Sequence, residues 1–286
     1  AGGTCAVARL ELCSALGVDG LTPSPVLLER ARRAAPAGVE LHVLIRPRAG
    51  DFFYSEREVA FMLDEIDALR HGAHGIVFGC LEEVPGEGAG ERGASGRAAD
   101  GEEPLRKRTR CPRARVHAEF SRRIVARARK YGLQATFHRA IDLTGEDYLA
   151  CVGACADLGV DRVLTSGAAR SAELGAGRIR AAAARFGARV EVMAGGGINA
   201  GNIDFIVDTC QPAAVHFSAS TLACAYGPCH GLALPVESLS HRAADERVLE
   251  ELLDRLDARG KRPLAHEAAA RIQDLRAADA LLRSKD

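Results

Sequence analysis

The sequence has no net charge, no long apolar run and no recognisable signal peptide. Its 38 basic and 38 acidic side chains balance at neutral pH, whereas a general nucleic-acid-binding protein is usually basic. No apolar run is long enough to cross a bilayer, and the N-terminal segment lacks the layout of a secretory signal. We therefore expect neither nucleic acid nor a membrane as a partner.

The cysteines show none of the spacings of a disulfide scaffold or a zinc site. There are nine of them, an odd number, and no two form a CxxC pair. With 286 residues, of which 47% are hydrophobic, the chain can bury a core without disulfide bonds. The simplest interpretation is a reducing, cytoplasmic compartment.

Short apolar segments alternate with amphipathic ones along most of the chain. The apolar segments are rich in Val, Ile and Leu and alternate only weakly, which is typical of strands buried on both faces of a parallel sheet. These predicted strands are residues 9–13, 41–46, 75–78, 134–138, 162–165, 190–194 and 213–217. The predicted helices are residues 56–71, 117–131, 148–158 and 172–186, the first with a capping box at Ser55 and Glu58. The alternation predicts an α/β fold.

Seven predicted strands leave two topologies open. A (β/α)8 barrel needs eight strands, so the count indicates either a doubly wound sheet or a barrel that lacks one strand. Residues 82–115 interrupt the pattern with six glycines and three prolines, and we predict a disordered insertion there. The barrel or sheet domain is expected over 1–242 and a helical extension over 243–286, with helices at 243–259 and 268–282.

Polar residues follow several predicted strands, at the ends where α/β folds bind ligands. Arg46 and Arg48 are alternate residues after one strand, so their guanidinium groups share a face, and Asp51 follows them. One interpretation is a clamp for a phosphate or carboxylate. The other is an internal arginine–aspartate network that fixes a loop.

His138 and Arg139 end another strand, with Asp142 one turn further along. A histidine at a strand end beside a carboxylate is a candidate general acid or base. The alternative is a core histidine whose hydrogen bonds are satisfied. Ser166 ends the next strand and is a candidate anion-binding residue together with Arg139.

Gly195, Gly196 and Gly197 form a turn after the following strand. Three glycines let backbone N–H groups approach a ligand closely, and a helix that begins near Asn202 would add its free N–H groups. This pattern favours an anion site. The alternative is a tight turn that needs positive φ.

The first and last predicted strands each end in candidate functional side chains. Glu11 and Cys13 share one face of the first strand, and His216 and Ser218 share one face of the last. Glu11 and His216 are candidate acid/base groups. Cys13 is a candidate ligand for Cu(I), which prefers soft thiolates, although a lone cysteine is more often a small buried apolar residue.

Taken together, these motifs resemble the CutC family of copper homeostasis proteins. The similar segments are ELC at 11–13, GLTPS at 20–24, IRPRAGDF at 45–52, TFHRAID at 136–142, RVLTSG at 162–167, MAGGGI at 193–198 and VHFS at 215–218. The resemblance runs from residue 1 to about residue 231 outside the insertion. Asp19 and Ala49 stand where the family has glycine.

The resemblance implies a TIM-type (β/α)8 barrel, a cytoplasmic location and Cu(I) binding by cysteines near the barrel mouth. Cys13 matches one of those cysteines. The other belongs to a first strand of the form LEVCV, which this sequence does not contain. We therefore expect an α/β, TIM-type barrel that lacks its first β-strand.

Three hypotheses for function follow. The first is copper homeostasis, with Cu(I) as the partner and Cys13 as its ligand. The second is a barrel enzyme that acts by acid/base chemistry on a small anionic or phosphorylated substrate, with Glu11, His138, Asp142 and His216 as candidate catalytic groups. The third is a truncated barrel with neither activity. Assembly with further copies of the chain is left open.

Overall fold

The described part of the chain comprises residues 9–84, 113–218, 220–224 and 240–258 of a computed structural model. In chain order the strands are β1 (Arg9–Leu12), β2 (Glu40–Leu44), β3 (Gly75–Phe78), β4 (Leu81–Glu83), β5 (Ala114–Val116), β6 (Gln134–Phe137), β7 (Arg162–Thr165), β8 (Glu191–Gly195), β9 (Ala214–His216), β10 (Ser220–Cys224) and β11 (Ser240–Ala244). The α-helices are α1 (Pro25–Ala34), α2 (Glu56–Leu69), α3 (Ala118–Lys130), α4 (Tyr148–Asp157), α5 (Ala176–Phe186), α6 (Ile203–Cys210) and α7 (Glu246–Ala258). Two 3-10 helices span Leu16–Val18 and Arg139–Asp147.

Seven strands form one parallel sheet in the order β1-β2-β3-β6-β7-β8-β9. Each of these is a strand that the sequence predicts, and the ends differ from the prediction by no more than two residues. Neighbours in the sheet follow one another along the chain, as in a barrel, whereas a doubly wound sheet reverses its strand order. The prediction of a TIM-type α/β fold is confirmed, with seven parallel strands among the residues that the structure describes.

The sheet curls until its two edge strands face each other. Within the described residues, β1 pairs only with β2 and β9 only with β8. Side chains nevertheless reach across this seam: Arg9 of β1 donates to Glu191 of β8 at 3.4 Å, and Glu11 lies 3.9 Å from His216 of β9. The seam is therefore bridged by side chains and not by backbone hydrogen bonds.

Helices cover the outer face of the sheet because the outward-facing strand residues are apolar. Leu41, Val43 and Ile45 of the β2 segment are at most 1% exposed, as are Met62 and Ile66 of α2. The capping box that starts α2 at Ser55 and Glu58 is present as predicted. Helix α1 is a helix that the sequence analysis did not identify, and Ser24 caps it.

The prediction that residues 82–115 are disordered is wrong at both ends of that range. Strands β4 and β5 pair there as an antiparallel hairpin, with Leu81 opposite Val116 and Glu83 opposite Ala114. Leu81 and Val116 are buried, which ties the hairpin to the core. The central part of the prediction, residues 85–112, lies outside the described residues.

The start of the predicted C-terminal extension also needs correction. Residues 243 and 244 belong to β11, which pairs with β10, and neither strand was predicted. Helix α7 then follows and packs through Leu249, Leu252 and Leu256 against Ile203 and Val207 of α6. It is thus part of the barrel's helical layer. The second predicted helix, at 268–282, lies outside the described residues.

A ring of paired polar side chains fills the amino-terminal end of the barrel interior. Arg9 donates to Glu40 at 3.1 Å, Arg162 lies 2.9 Å from Glu191, and Gln134 donates to Glu40 at 2.9 Å. Arg9 also reaches Glu191, so the two positive and two negative charges balance. The charges at this end of the barrel interior are therefore paired with one another.

Candidate functional site

The predicted site residues lie at the carboxyl ends of the parallel strands, and the structure divides most of them into three groups. We call them the seam group, the histidine group and the aspartate group. The seam group is Glu11, Cys13 and His216; the histidine group is Arg46, Phe52, Gly79 and His138; the aspartate group is Arg139, Asp142, Ser166 and Gly196.

The seam group joins the two edge strands of the sheet. Glu11 Oε2 lies 3.9 Å from His216 Nδ1, which is ion-pair distance but longer than a hydrogen bond. Cys13 lies two residues beyond Glu11 on the same face of the chain, and its side chain is partly exposed. Burial, together with the negative charge of Glu11, raises the pKa of the Cys13 thiol to about 11. The thiol is therefore protonated at neutral pH.

Arg46 holds the two loops that follow β1 and β2. Its Nη1 donates to the carbonyl oxygens of Val18 at 2.9 Å and Gly20 at 3.0 Å, and its Nη2 donates to that of Gly50 at 2.9 Å. The side chain is buried, and its Nε–H has no partner among the described residues. Three of the five N–H donors of the guanidinium are thus used for loop structure, and the Nε–H is one of the two that are left.

His138 lies beside Arg46 and beneath the same aromatic ring. The ring centroids of Phe52 and His138 are 4.8 Å apart, and the Arg46 Cζ lies 5.0 Å from the Phe52 centroid. Burial, reinforced by the positive charge of Arg46, lowers the pKa of His138 to about 3. The imidazole is neutral at physiological pH, so its pKa does not suit a general acid or base that works near pH 7.

The carboxylate of Asp142 is engaged by the loop after β7. It accepts hydrogen bonds from Thr165 Oγ1 at 2.6 Å, from the Ser166 N–H and hydroxyl, from the Ala168 N–H and from Arg139 Nε. With both oxygens occupied, the side chain has no lone pair left for a substrate proton. The expected pairing of Asp142 with His138 is not formed, because the His138 Nδ1 instead accepts from the Ala140 N–H at 3.1 Å.

Arg139 connects the aspartate group to the glycine turn. Its Nη2 donates to Ser166 Oγ at 2.9 Å, and a methyl group at Gly196 would lie only 3.1 Å from its Nη1. Gly196 and Gly197 have φ of +102° and +73°, so the turn does need glycine. The arginine is 43% exposed, and its Nη1 faces the turn. Gly195 is covered by Leu164 and His216, away from this arginine.

Arg48 and Asp51 form the internal network that was the alternative to a clamp. Arg48 Nη2 donates to Asp51 Oδ1 at 3.0 Å, and Arg48 Nε donates to Glu58 of the α2 capping box. Further bonds to the carbonyl oxygens of Asp51 and Phe53 use the other donors. This arginine fixes the loop after β2.

Sequence reasoning missed Phe52 and Gly79 as members of the histidine group. Phe52 ends the motif that contains both arginines, yet nothing in a single aromatic residue indicates what it will cover. Gly79 follows β3, and a methyl group there would lie 2.4 Å from His138 Cε1, so only glycine fits. The signal for Gly79 was its position directly after a buried strand.

Two further properties of the described residues bear on partners. Within them, no three His, Cys, Asp or Glu side chains come together as a metal-binding cluster. None of the helices there is long and apolar enough to cross a membrane.

Comparison with known proteins supports the resemblance found in the sequence. The CutC family model matches residues 2–86 and 110–221. A CutC family protein of Glaesserella parasuis serovar 5 is 35% identical over 212 residues, which cover 74% of this chain and 73% of that protein. A CutC family protein of Bacteroides fragilis is 36% identical over 212 residues, with coverage of 74% and 71%.

A solved structure shows the same fold. It is that of the "putative copper homeostasis protein CutC" from Streptococcus agalactiae, with a TM-score of 0.58 and 24% identity over 73% of this chain and 87% of that one. The family model covers well over half of the sequence, and the curated relatives align along most of their own length. The chain belongs to the CutC family.

Proposed function

We propose that this protein handles copper and that Cys13 is the thiolate ligand through which it binds Cu(I). Copper homeostasis is the role named for the structural relative from Streptococcus agalactiae. The observation that carries the proposal for this chain is the position of Cys13: a partly exposed thiol near the barrel mouth, in the seam group. Cu(I) here is cargo, bound and released by the chain.

The donor set around Cys13 fits Cu(I) better than harder ions. A thiolate and an imidazole are both ligands that copper accepts, and thiolates select Cu(I). We propose His216 as the imidazole donor: its Nδ1 is 3.9 Å from Glu11 Oε2, and Glu11 precedes Cys13 by two residues.

An anaerobic competition titration with a Cu(I) chelator tests the proposal. We expect Cys13→Ser to lower Cu(I) affinity at least about 100-fold, since it replaces the soft ligand itself. His216→Ala should lower it less. The matched control is Cys210→Ser, because Cys210 is a thiol whose pKa burial also raises to about 11, but it is packed inside the α6 interface.

Equal Cu(I) affinity of the wild-type protein and Cys13→Ser would contradict the assignment of Cys13. A loss in Cys210→Ser as large as that in Cys13→Ser would also contradict it. In that case the copper would depend on thiols in general and not on the barrel mouth.

A second function is favoured by one specific observation, the contact between Arg139 and the glycine turn. The Arg139 Nη1 faces Gly196, which is partly exposed, and helix α6 begins shortly after the turn. An exposed guanidinium beside such a turn is an arrangement that binds phosphate or another small anion. We therefore propose, as the alternative, an enzyme that acts on a small anionic or phosphorylated substrate.

Thermal unfolding in the presence of phosphate tests this second function. At about 100 times its Kd, a ligand stabilises the folded state by about 2.7 kcal/mol, which should raise the Tm by several degrees. We expect this shift in the wild-type protein and in Arg178→Gln, but not in Arg139→Gln. Arg178 is a matched control because it is 42% exposed, against 43% for Arg139. Equal shifts in both variants would contradict the proposal.

A further inference from the structure

The histidine group is built around Gly79, a position without a side chain whose place the His138 ring takes. Strand β3 lies between β2 and β6, so Gly79, which follows β3, is flanked by Arg46 after β2 and His138 after β6. A methyl group on Gly79 would overlap the imidazole, at 2.4 Å from Cε1. The two long side chains therefore converge above a residue that has none, and the Phe52 ring contacts both.

His138 presents a defined hydrogen-bond donor next to Gly79. Its Nδ1 accepts from the Ala140 N–H at 3.1 Å, which assigns the ring proton to Nε2. The residue is only 7% exposed, and within the described part of the chain its Nε2 has no hydrogen-bond partner. Buried polar groups in folded proteins are nearly always paired, so an unpaired N–H at a ligand-binding end of a barrel calls for an acceptor.

Arg46 presents a second donor of the same kind. Its Nη atoms donate to three loop carbonyls. Arg46 is only 5% exposed, and its Nε–H has no partner among the described residues. Two unpaired buried N–H groups therefore lie on either side of Gly79, next to the same aromatic ring. An acceptor placed between them would satisfy both.

We infer that His138 Nε2–H and Arg46 Nε–H together bind one oxygen of a small carboxylate or carbonyl compound, with Phe52 packed against its carbon frame. Two donors match the two lone pairs of one trigonal oxygen. The positive charge of Arg46 excludes a cation. A phosphate dianion would leave most of its oxygens unpaired, because three of the four Nη–H donors of Arg46 are already used by loop carbonyls. The inference rests on the second proposed function only in placing a small ligand at the barrel mouth.

The low basicity of His138 fits this role. Because burial and Arg46 hold its pKa to about 3, the imidazole stays neutral and keeps its Nε2 proton over the whole physiological range. A neutral imidazole donates a hydrogen bond to an oxygen without transferring a proton to it, as in enzymes that polarise a carbonyl group. His138 is then a ligand-binding donor, which differs from the general acid or base that its sequence position suggested.

Nuclear magnetic resonance of the 15N-histidine-labelled full chain tests the inference. The His138 signals are assigned by their loss in His138→Asn. We expect one nitrogen with the shift of an acceptor, one with that of an N–H, and no protonation down to about pH 5. Addition of acetate or pyruvate should move the Nε2–H signal downfield, whereas methylammonium should not.

Two variants separate the ligand-binding donor from the structural bond of His138. Asn places its amide oxygen near the position of Nδ1 and keeps the bond from Ala140, but has no donor at the position of Nε2. Gln places an N–H near Nε2 but loses the bond from Ala140. We expect His138→Asn to weaken pyruvate binding about tenfold to a hundredfold, and His138→Gln to weaken it less.

Several results would overturn the inference: no shift of the Nε2–H signal with either carboxylate, an equal shift with methylammonium, or tighter binding in His138→Asn than in His138→Gln. Phosphate provides the distinction from the second proposed function. If phosphate protects through Arg139 while carboxylates leave His138 unchanged, that function stands and this inference fails. If the carboxylates act on His138 and Arg139→Gln loses no phosphate protection, the inference stands alone.

Discussion

Asp142→Ala is expected to destabilise the fold by about 3–5 kcal/mol, because it removes a buried acceptor from the centre of a loop. The Asp142 side chain is 8% exposed and accepts from Thr165, Ser166, Ala168 and Arg139. Alanine would leave several of these donors buried without an acceptor, which costs more than the lost attraction. Denaturant unfolding, with the midpoint compared at constant slope, measures the effect.

Asp142→Asn should fall between alanine and the wild type. Its amide oxygen can keep the bonds from Thr165 and Ala168, while its NH2 group would face the Arg139 Nε–H, another donor. Asp157→Ala is the matched control, since Asp157 is 71% exposed and pairs with Arg189 at the surface. Removal of such a pair costs about 1 kcal/mol or less. An Asp142→Ala protein as stable as Asp157→Ala would contradict the role of Asp142 as the centre of the loop.

This role explains why the sequence pattern at Asp142 was informative and yet ambiguous. A carboxylate close to a histidine at a strand end predicts an acid/base pair, and the same carboxylate can equally collect N–H groups from the next loop. The choice depends on where the loop after β7 runs. Ser166 and Ala168 lie more than 20 residues further along the chain, so no local pattern reports it.

The strands were predictable because burial on both faces of a parallel sheet requires a short, continuous apolar segment, which is visible in the local sequence. Segments such as Gly75–Phe78 and Arg162–Thr165 are short apolar runs between helices that end in glycine, and the structure has these bounds. The capping box of α2 is local too, since Ser55 and Glu58 bond each other within one turn. Local patterns of this kind can be recognised in a single sequence.

The ring of paired polar side chains at the amino-terminal end of the barrel has no such local sequence pattern. Its members pair across large separations: Arg9 and Glu40 are 31 residues apart, and Arg9 and Glu191 are 182 apart. Each residue alone is an ordinary polar or charged side chain at the start of a strand. Only closure of the sheet brings them together, so their pairing follows from the topology and not from the motif.

The histidine group lies between these two cases. His138 and Arg46 were identified because each follows a strand, and the sequence placed both near the ligand-binding end. Their chemistry was not readable, since the neutral state of His138 depends on burial and on Arg46, and its free donor depends on a bond to Ala140. The positions of candidate residues were thus predictable, whereas their protonation and partners were not.

Copper affinity is expected to rise steeply with pH, and this follows from the thiol of Cys13. Burial and the charge of Glu11 raise its pKa to about 11, so the thiol is protonated across the working range, and copper must displace the proton to bind the thiolate. Below that pKa, each increase of one pH unit raises the thiolate fraction about tenfold. Cu(I) affinity should therefore increase about 1,000-fold between pH 6 and pH 9.

Competition titrations across this range measure the slope, with the pH dependence of the chelator itself subtracted. Cys13→Ser should lose the slope together with the affinity. Glu11→Gln should bind copper more tightly than the wild type at pH 7, because removal of a neighbouring negative charge lowers the pKa of the thiol. A weaker Glu11→Gln protein would instead make the carboxylate a ligand. A flat profile for the wild type between pH 6 and pH 9 would mean that copper is held by groups already deprotonated at pH 6, and Cys13 would not be among them.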